Sequence, residues 1–122
     1  MECSCQAEVD NDGGPSFFSK EVRTARKKHK CHECDKTINP GEKYECVSGF
    51  WYGHPDRFKT CMDCVSLRDI FFTHGWVFTQ IWEDFRETFR GDTIPESCIA
   101  ELTPMARARV CEFIESQWKY VD

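Results

Sequence analysis

Cys31-x2-Cys34 and Cys61-x2-Cys64, with 26 residues between the pairs, are the residues of this chain whose spacing points to a definite chemistry. Two residues between cysteines let both sulfurs reach one ion from a single turn, and two such pairs complete a tetrahedral tetrathiolate. The expected centre is one structural zinc ion held by Cys31, Cys34, Cys61 and Cys64. Four thiolates leave no open position for water or substrate, which predicts a staple and not a catalyst. Zinc-held thiolates are also not free to cycle as a redox pair.

Other residues carry weaker signals. Cys3 and Cys5 form a CxC pair that reads either as a second metal site, with His29, His32 or another thiol, or as a reduced tail. Cys46, Cys98 and Cys111 read as free, small, buried hydrophobes. His54 with Asp69 or His74 imitates a nuclease metal site, but no Ser/His/Asp set, phosphate loop or paired-histidine helix motif accompanies them. Arg23, Arg26, Lys27, Lys28 and Lys30 form a basic stripe able to neutralise several phosphates. Phe50, Trp51 and Tyr52 are consecutive aromatics in an expected strand, and alternation forbids all three from facing one side. At least one is therefore exposed or covered by later helices, and Trp51 is taken as a contact candidate. Trp76, Trp82 and Phe85 read as core.

The elements that must position the cysteines follow from pattern. Residues 1–16 read as a flexible segment with a turn at Asp12-Gly13-Gly14-Pro15. Residues 20–30 are a strand or a short arm. Cys31–Cys34 opens a tight loop, Asn39-Pro40-Gly41 is a turn, and Tyr44–Tyr52 is a strand. A turn at Gly53-His54-Pro55-Asp56 returns the chain along Arg57–Thr60. The second cysteine pair opens a helix, with Thr60 and Asp63 in capping-box spacing and Gly75 as its stop. Val77, Phe78, Ile81, Trp82, Phe85 and Phe89 recur at helical steps up to Gly91. Pro95 starts a short helix through Leu102, and Thr103-Pro104 starts the last one. Its expected apolar face is Ala106, Val110, Phe113, Ile114, Trp118 and Val121.

The order of knuckle, hairpin and helix, carried by CHEC, INPGEKYE and FKTCMDCVSLRDIF over about residues 29–75, resembles the treble-clef class of zinc fingers. The wider text GPSFFSKEVRTARKKHKCHEC, with KTCMDCVSLRDIF and PESCIAELTPMARARVCEFIE, is similar to small proteins of bacteriophages and prophages. That resemblance implies a phage setting and a zinc fold, and it supplies no mechanism. The expected fold class is α+β, a small treble-clef-like finger extended by C-terminal helices. Residues 17–122 are expected to form one zinc-stabilised domain, with the finger core at 17–75 and the helical extension at 76–122.

Composition sets the outer bounds. The chain has 122 residues, 40% hydrophobic and 30% charged, which suits one ordered domain. No apolar stretch reaches membrane length, and MECSCQAEVDNDGG lacks the basic and apolar regions of a secretory signal. With nine cysteines, an odd number, in two CxxC pairs and no export signal, a reduced compartment is expected, here the bacterial host cytoplasm. Net charge is −5 but uneven: residues 20–36 hold seven bases against three acids, and residues 83–122 hold five bases against nine acids. The expected function is recognition without catalysis, by a protein-binding modulator or inhibitor of host machinery such as a defence nucleoprotein complex. The alternative is a DNA- or RNA-binding regulator that uses the 20–30 segment.

Overall fold

Strand β1 is Phe17–Thr24, and its chain turns at residues 25–28 into the two-residue strand β2, His29–Lys30. The 20–30 segment is thus strand, turn and strand. β2 pairs with β3, Thr37–Ile38, and the long strand β4, Lys43–Trp51, follows. β5, His54–Cys61, returns beside β4. Four helices complete the order: α1 Met62–Phe71, α2 Ile81–Thr88, α3 Glu96–Ala100 and α4 Pro104–Trp118. The computed structural model describes residues 6–7, 17–51 and 53–118. It is a mixed α+β architecture with a small antiparallel sheet of order β1-β4-β5 and a two-stranded ribbon of β2 and β3.

β4 lies in the middle of the sheet between β1 and β5, and its first half is buried. Tyr44, Glu45, Cys46 and Val47 are all buried. A carboxylate in that row requires a partner, because an unpaired buried charge is expensive. Arg68 of α1 provides it, with Nη1 donating to Glu45 Oε1 at 2.7 Å. Its guanidinium also lies 4.2 Å from the Trp76 ring centre. This clamp sets α1 on one face of the sheet.

The hairpin turn is tighter than its sequence suggests. β5 already begins at His54, and Pro55 pairs with Phe50. β5 is an edge strand of its sheet, where a proline without an N–H is tolerated. Trp51 already pairs with His54, so the chain has reversed before the end of the expected 53–56 turn, and Gly53 takes φ +78° in the reversal.

The helix boundaries also shift. Cys61 is the N-cap of α1 and no side chain caps it, so the expected Thr60–Asp63 capping box does not form. Asp63 is drawn away to Lys36 Nζ at 2.9 Å and to the Thr103 hydroxyl at 2.7 Å. α1 ends at Phe71, before Gly75, because Phe71 and Phe72 both turn into the core. Val77 and Phe78 precede α2 instead of belonging to it. Thr79 has φ +74°, and Phe78 stacks on Phe58 with centroids 4.5 Å apart. Packing against the sheet wins there over the helical period.

The core continues through Leu67, Phe71, Ile81, Trp82, Phe85, Phe89, Ile94, Leu102, Ala106 and Val110. Phe85 meets Phe113 of α4 at 5.7 Å. The expected α4 face therefore holds for its first half, but Trp118 is 73% exposed, since the helix runs past the elements that cover it. Val121 lies outside the described residues. At the other end, Ala7 is fully buried and its N–H donates to Phe71 O at 2.7 Å, so the expected flexible 1–16 segment is anchored at this point. The Asp12–Pro15 turn lies outside the described residues. Among the described residues, no helix is long and apolar enough to cross a membrane.

Candidate metal centre

The first cysteine pair is held by the β2–β3 ribbon. Cys31 N–H donates to Lys36 O, and Asp35 N–H donates to Cys31 O, both at 2.9 Å. Asp35 takes φ +62°, a left-handed conformation that a short polar side chain tolerates and that closes the knuckle. His32 fastens this loop to β5. Its N–H donates to Lys59 O at 2.9 Å, and its Nδ1 accepts from Lys59 N–H at 2.8 Å. The histidine inside the motif is thus a strap and not a ligand. The second pair sits at the end of β5 and the first turn of α1, where helix N-terminal amides favour negative charge.

All four sulfurs lie within 4.8 Å of one another, and Cys31, Cys61 and Cys64 are buried. Cys31 Sγ to Cys64 Sγ is 3.8 Å, and Cys34 Sγ to Cys61 Sγ is 3.8 Å. A disulfide needs about 2.05 Å. A tetrahedron with zinc–sulfur bonds of ~2.3 Å has sulfur–sulfur edges of ~3.8 Å. The spacing therefore fits a metal tetrathiolate, and the four cysteines are able to hold one ion.

Protein donors already face the sulfurs. Cys61 N–H lies 3.3 Å and Glu33 N–H 3.4 Å from Cys31 Sγ, and the Trp82 indole N–H lies 3.2 Å from Cys64 Sγ. Hydrogen bonding with Cys34, Cys61 and Cys64 pushes the Cys31 thiol well below its ordinary range. The same bonding with Cys31 pushes Cys61 and Cys64 far up. Four thiols this close accommodate one negative charge easily and further charges poorly. A divalent cation in their midst replaces the shared protons and removes that conflict.

Comparison with known proteins gives no matching family model, no matching curated protein and no matching solved structure. The treble-clef and phage likenesses thus receive no support from relatives, and the sulfur geometry carries the site alone.

Glu33 and Trp82 extend the centre beyond its ligands. The Glu33 carboxylate accepts from Thr79 N–H at 2.7 Å and Ile81 N–H at 3.3 Å, so the knuckle holds the entry to α2. Burial pushes the Glu33 carboxyl upward despite these bonds. Glu33 lies inside the first CxxC and carried no signal of its own. Trp82 was legible only as an apolar residue at helical spacing.

The other candidates are dispersed. Among the described residues, the four cysteines form the one group of at least three His, Cys, Asp or Glu side chains gathered closely enough for a metal. His54, Asp69 and His74 are exposed and are not brought into such a group. Cys3 and Cys5 lie outside the described residues. Cys46 is buried and free and Cys111 is half-buried and free, whereas Cys98 is buried and disulfide-bonded, not free as expected. Arg23, Arg26, Lys27, Lys28 and Lys30 are all exposed at the β1–β2 end of the sheet, and Arg23 pairs with Glu21. Trp51 is half-buried, edge-on to Phe58 at 5.2 Å and to Phe78 at 5.8 Å, which makes it mostly a packing residue. Phe50 is the exposed neighbour, at 44%. Tyr52 lies outside the described residues.

Proposed function

We propose that this chain is a treble-clef-type zinc protein of phage origin that acts in the host cytoplasm by recognition and not by catalysis, docking onto a host protein or nucleoprotein complex through its acidic helical half. The observation that carries the reading is the gathering of the four thiols: three of them are buried, and two backbone amides and the Trp82 indole of α2 already face the sulfurs of Cys31 and Cys64. A centre of that kind stabilises a surface and leaves no coordination position for a substrate.

The surface it supports is charged in a way that suits docking. Glu83, Glu87, Glu112 and Glu115 are exposed on α2 and α4. Partial burial, then the neighbouring Glu87 and Glu83, push the Asp84 carboxyl upward. Acids that already repel one another gain from meeting a basic partner, and such complementarity speeds association. Treble-clef geometry is the reading of the knuckle, the β4–β5 hairpin and a helix carrying the second cysteine pair.

Two measurements test this proposal. Metal analysis of purified protein is expected to give about one zinc per chain, abolished by Cys61→Ser; full retention of zinc in that variant would sink the assignment. Capture from nuclease-treated bacterial lysate is expected to yield a partner that is lost when Glu83, Glu87, Glu112 and Glu115 are changed to Gln. Metal-dependent cleavage of DNA or RNA that disappears in His54→Ala would overturn the non-catalytic reading.

A further inference from the structure

The sheet has a second face, turned away from α1. Residues directly opposite one another in paired strands share a face. Glu45 points to Arg68 of α1, so the alternate rungs point the other way. Those rungs are Arg23–Tyr44–Cys61, Glu21–Cys46–Lys59 and Ser19–Ser48–Arg57, and Phe50 with Pro55 follows. Contacts agree with that assignment. Arg57 Nε donates to Ser48 Oγ at 3.2 Å, and Lys59 Nζ lies 3.0 Å from His29 Nδ1. The His29 ring in turn lies 5.0 Å from that of Tyr44.

Two open clefts lie on this face. One, of about 730 Å³, is lined by Arg23, Arg26, Lys27, His29 and Tyr44. The other, of about 490 Å³, is lined by Ser48, Phe50, Pro55, Asp56 and Arg57. The face thus gathers Arg23, Arg26, Lys27, Arg57 and Lys59 from two distant stretches of chain, against Glu21. Among the described residues, Arg26, Lys27, Arg57 and Lys59 form no ion pair. From the Tyr44 rung to the Phe50 rung the strand rises about 20 Å. Over that length the cations form a track, and an aromatic ring 44% exposed stands at its far end.

We propose that this sheet face binds single-stranded nucleic acid, with Arg23, Arg26, Lys27, Arg57 and Lys59 following the phosphates and Phe50 stacking on a base. A track of cations that reaches an exposed ring is the chemistry of sequence-tolerant single-strand binding. An acidic peptide uses the cations and has no need of the ring, which decides between the two. The proposal stands apart from the acidic-face reading. The two faces carry opposite charge, and together they suit a target that contains both protein and nucleic acid.

The test uses the zinc-loaded full chain and fluorescence anisotropy with a labelled mixed-sequence single strand, a duplex of equal length and polyglutamate. The single strand is expected to bind best, with affinity falling as salt rises. Arg57→Gln is expected to weaken binding and to reduce the magnitude of the salt slope by ~0.7, the share of one phosphate contact on a single strand. Phe50→Ala is expected to weaken it about tenfold with the slope unchanged, as loss of a stacking platform predicts. Arg86→Gln, at an exposed position of α2, is expected to change nothing. Zinc content and circular dichroism verify that each variant folds. No binding, equal or tighter binding of duplex or polyglutamate, or loss of affinity in Arg86→Gln equal to that in Arg57→Gln would each overturn the proposal. Capture of the nuclease-resistant partner is read separately, so failure here leaves the acidic-face reading standing, and the reverse.

Discussion

Trp82 shows how one side chain serves two layers of the molecule. Its ring is 5% exposed and meets Phe85 in the core, while its indole N–H lies 3.2 Å from Cys64 Sγ. Arg109 covers the ring at 4.3 Å. A donor to a thiolate holds the ligand in place and spreads its charge, and losing such an outer partner typically lowers metal affinity 10–100-fold. Trp82→Phe keeps most of the packing and removes the N–H. The expected outcome is a zinc stoichiometry still near one, with affinity about tenfold weaker in competition against a chromogenic chelator. Unchanged affinity would show that the indole only fills space. The ligands themselves are legible in sequence because CxxC spacing is local. Trp82 as a thiol partner is not, because nothing within α2 says which element will lie against it.

At the scale of elements, the bond between α1 and the sheet rests on Arg68 and Glu45, exposed by 2% and 3%. Removing one member of a buried pair leaves an uncompensated charge and costs ~3–5 kcal/mol, whereas replacing both with apolar residues of similar size is often neutral or better. Arg68→Met alone is therefore expected to lower stability by about 4 kcal/mol in urea unfolding, and Arg68→Met with Glu45→Leu to recover most of it. Failure of the double variant to recover would mean that the clamp fixes the fold's geometry and not merely its charge balance. The same scale explains what could be read beforehand. β4 and its hairpin with β5 follow from aromatic and β-branched residues between turn signals, though not their register, and α2 and α4 follow from helical periods. Phe78 and Asp63 misled because each answers to a distant segment. Phe78 leaves the helical period to stack on Phe58, and Asp63 leaves its own helix end for Lys36 and Thr103. Arg57 and Lys59 looked like ordinary strand residues until pairing set them on the same sheet face as Arg23.

For the whole molecule, the question is whether the metal centre staples only its own knuckle or the entire chain. Three links leave it. Glu33 receives the amides of Thr79 and Ile81, Trp82 of α2 reaches Cys64, and Lys36 meets Asp63, which also receives the hydroxyl of Thr103 just before α4. α2 and the start of α4 are therefore tied to the cysteine loops or to α1, which carries Cys64 and has Cys61 as its N-cap. A site coupled in this way cannot empty without loosening α2 and the start of α4. Structural zinc contributes up to ~10 kcal/mol or more to the folding of small domains. One kcal/mol shifts the melting temperature of a domain this size by about 3–5 °C. Chelation is thus expected to lower the melting temperature by at least ~20 °C, in one cooperative transition followed equally by far-ultraviolet circular dichroism and by tryptophan fluorescence. The alternative is a helical half that survives by itself. It would appear as two separated transitions, the first at the knuckle and the second in the Phe71, Phe85 and Phe89 cluster, whose rings lie 4.9–5.3 Å apart. That cluster is large enough to collapse without metal. Yet its orientation against the sheet depends on α1, whose N-terminus is the second cysteine pair, so the two halves are expected to melt as one.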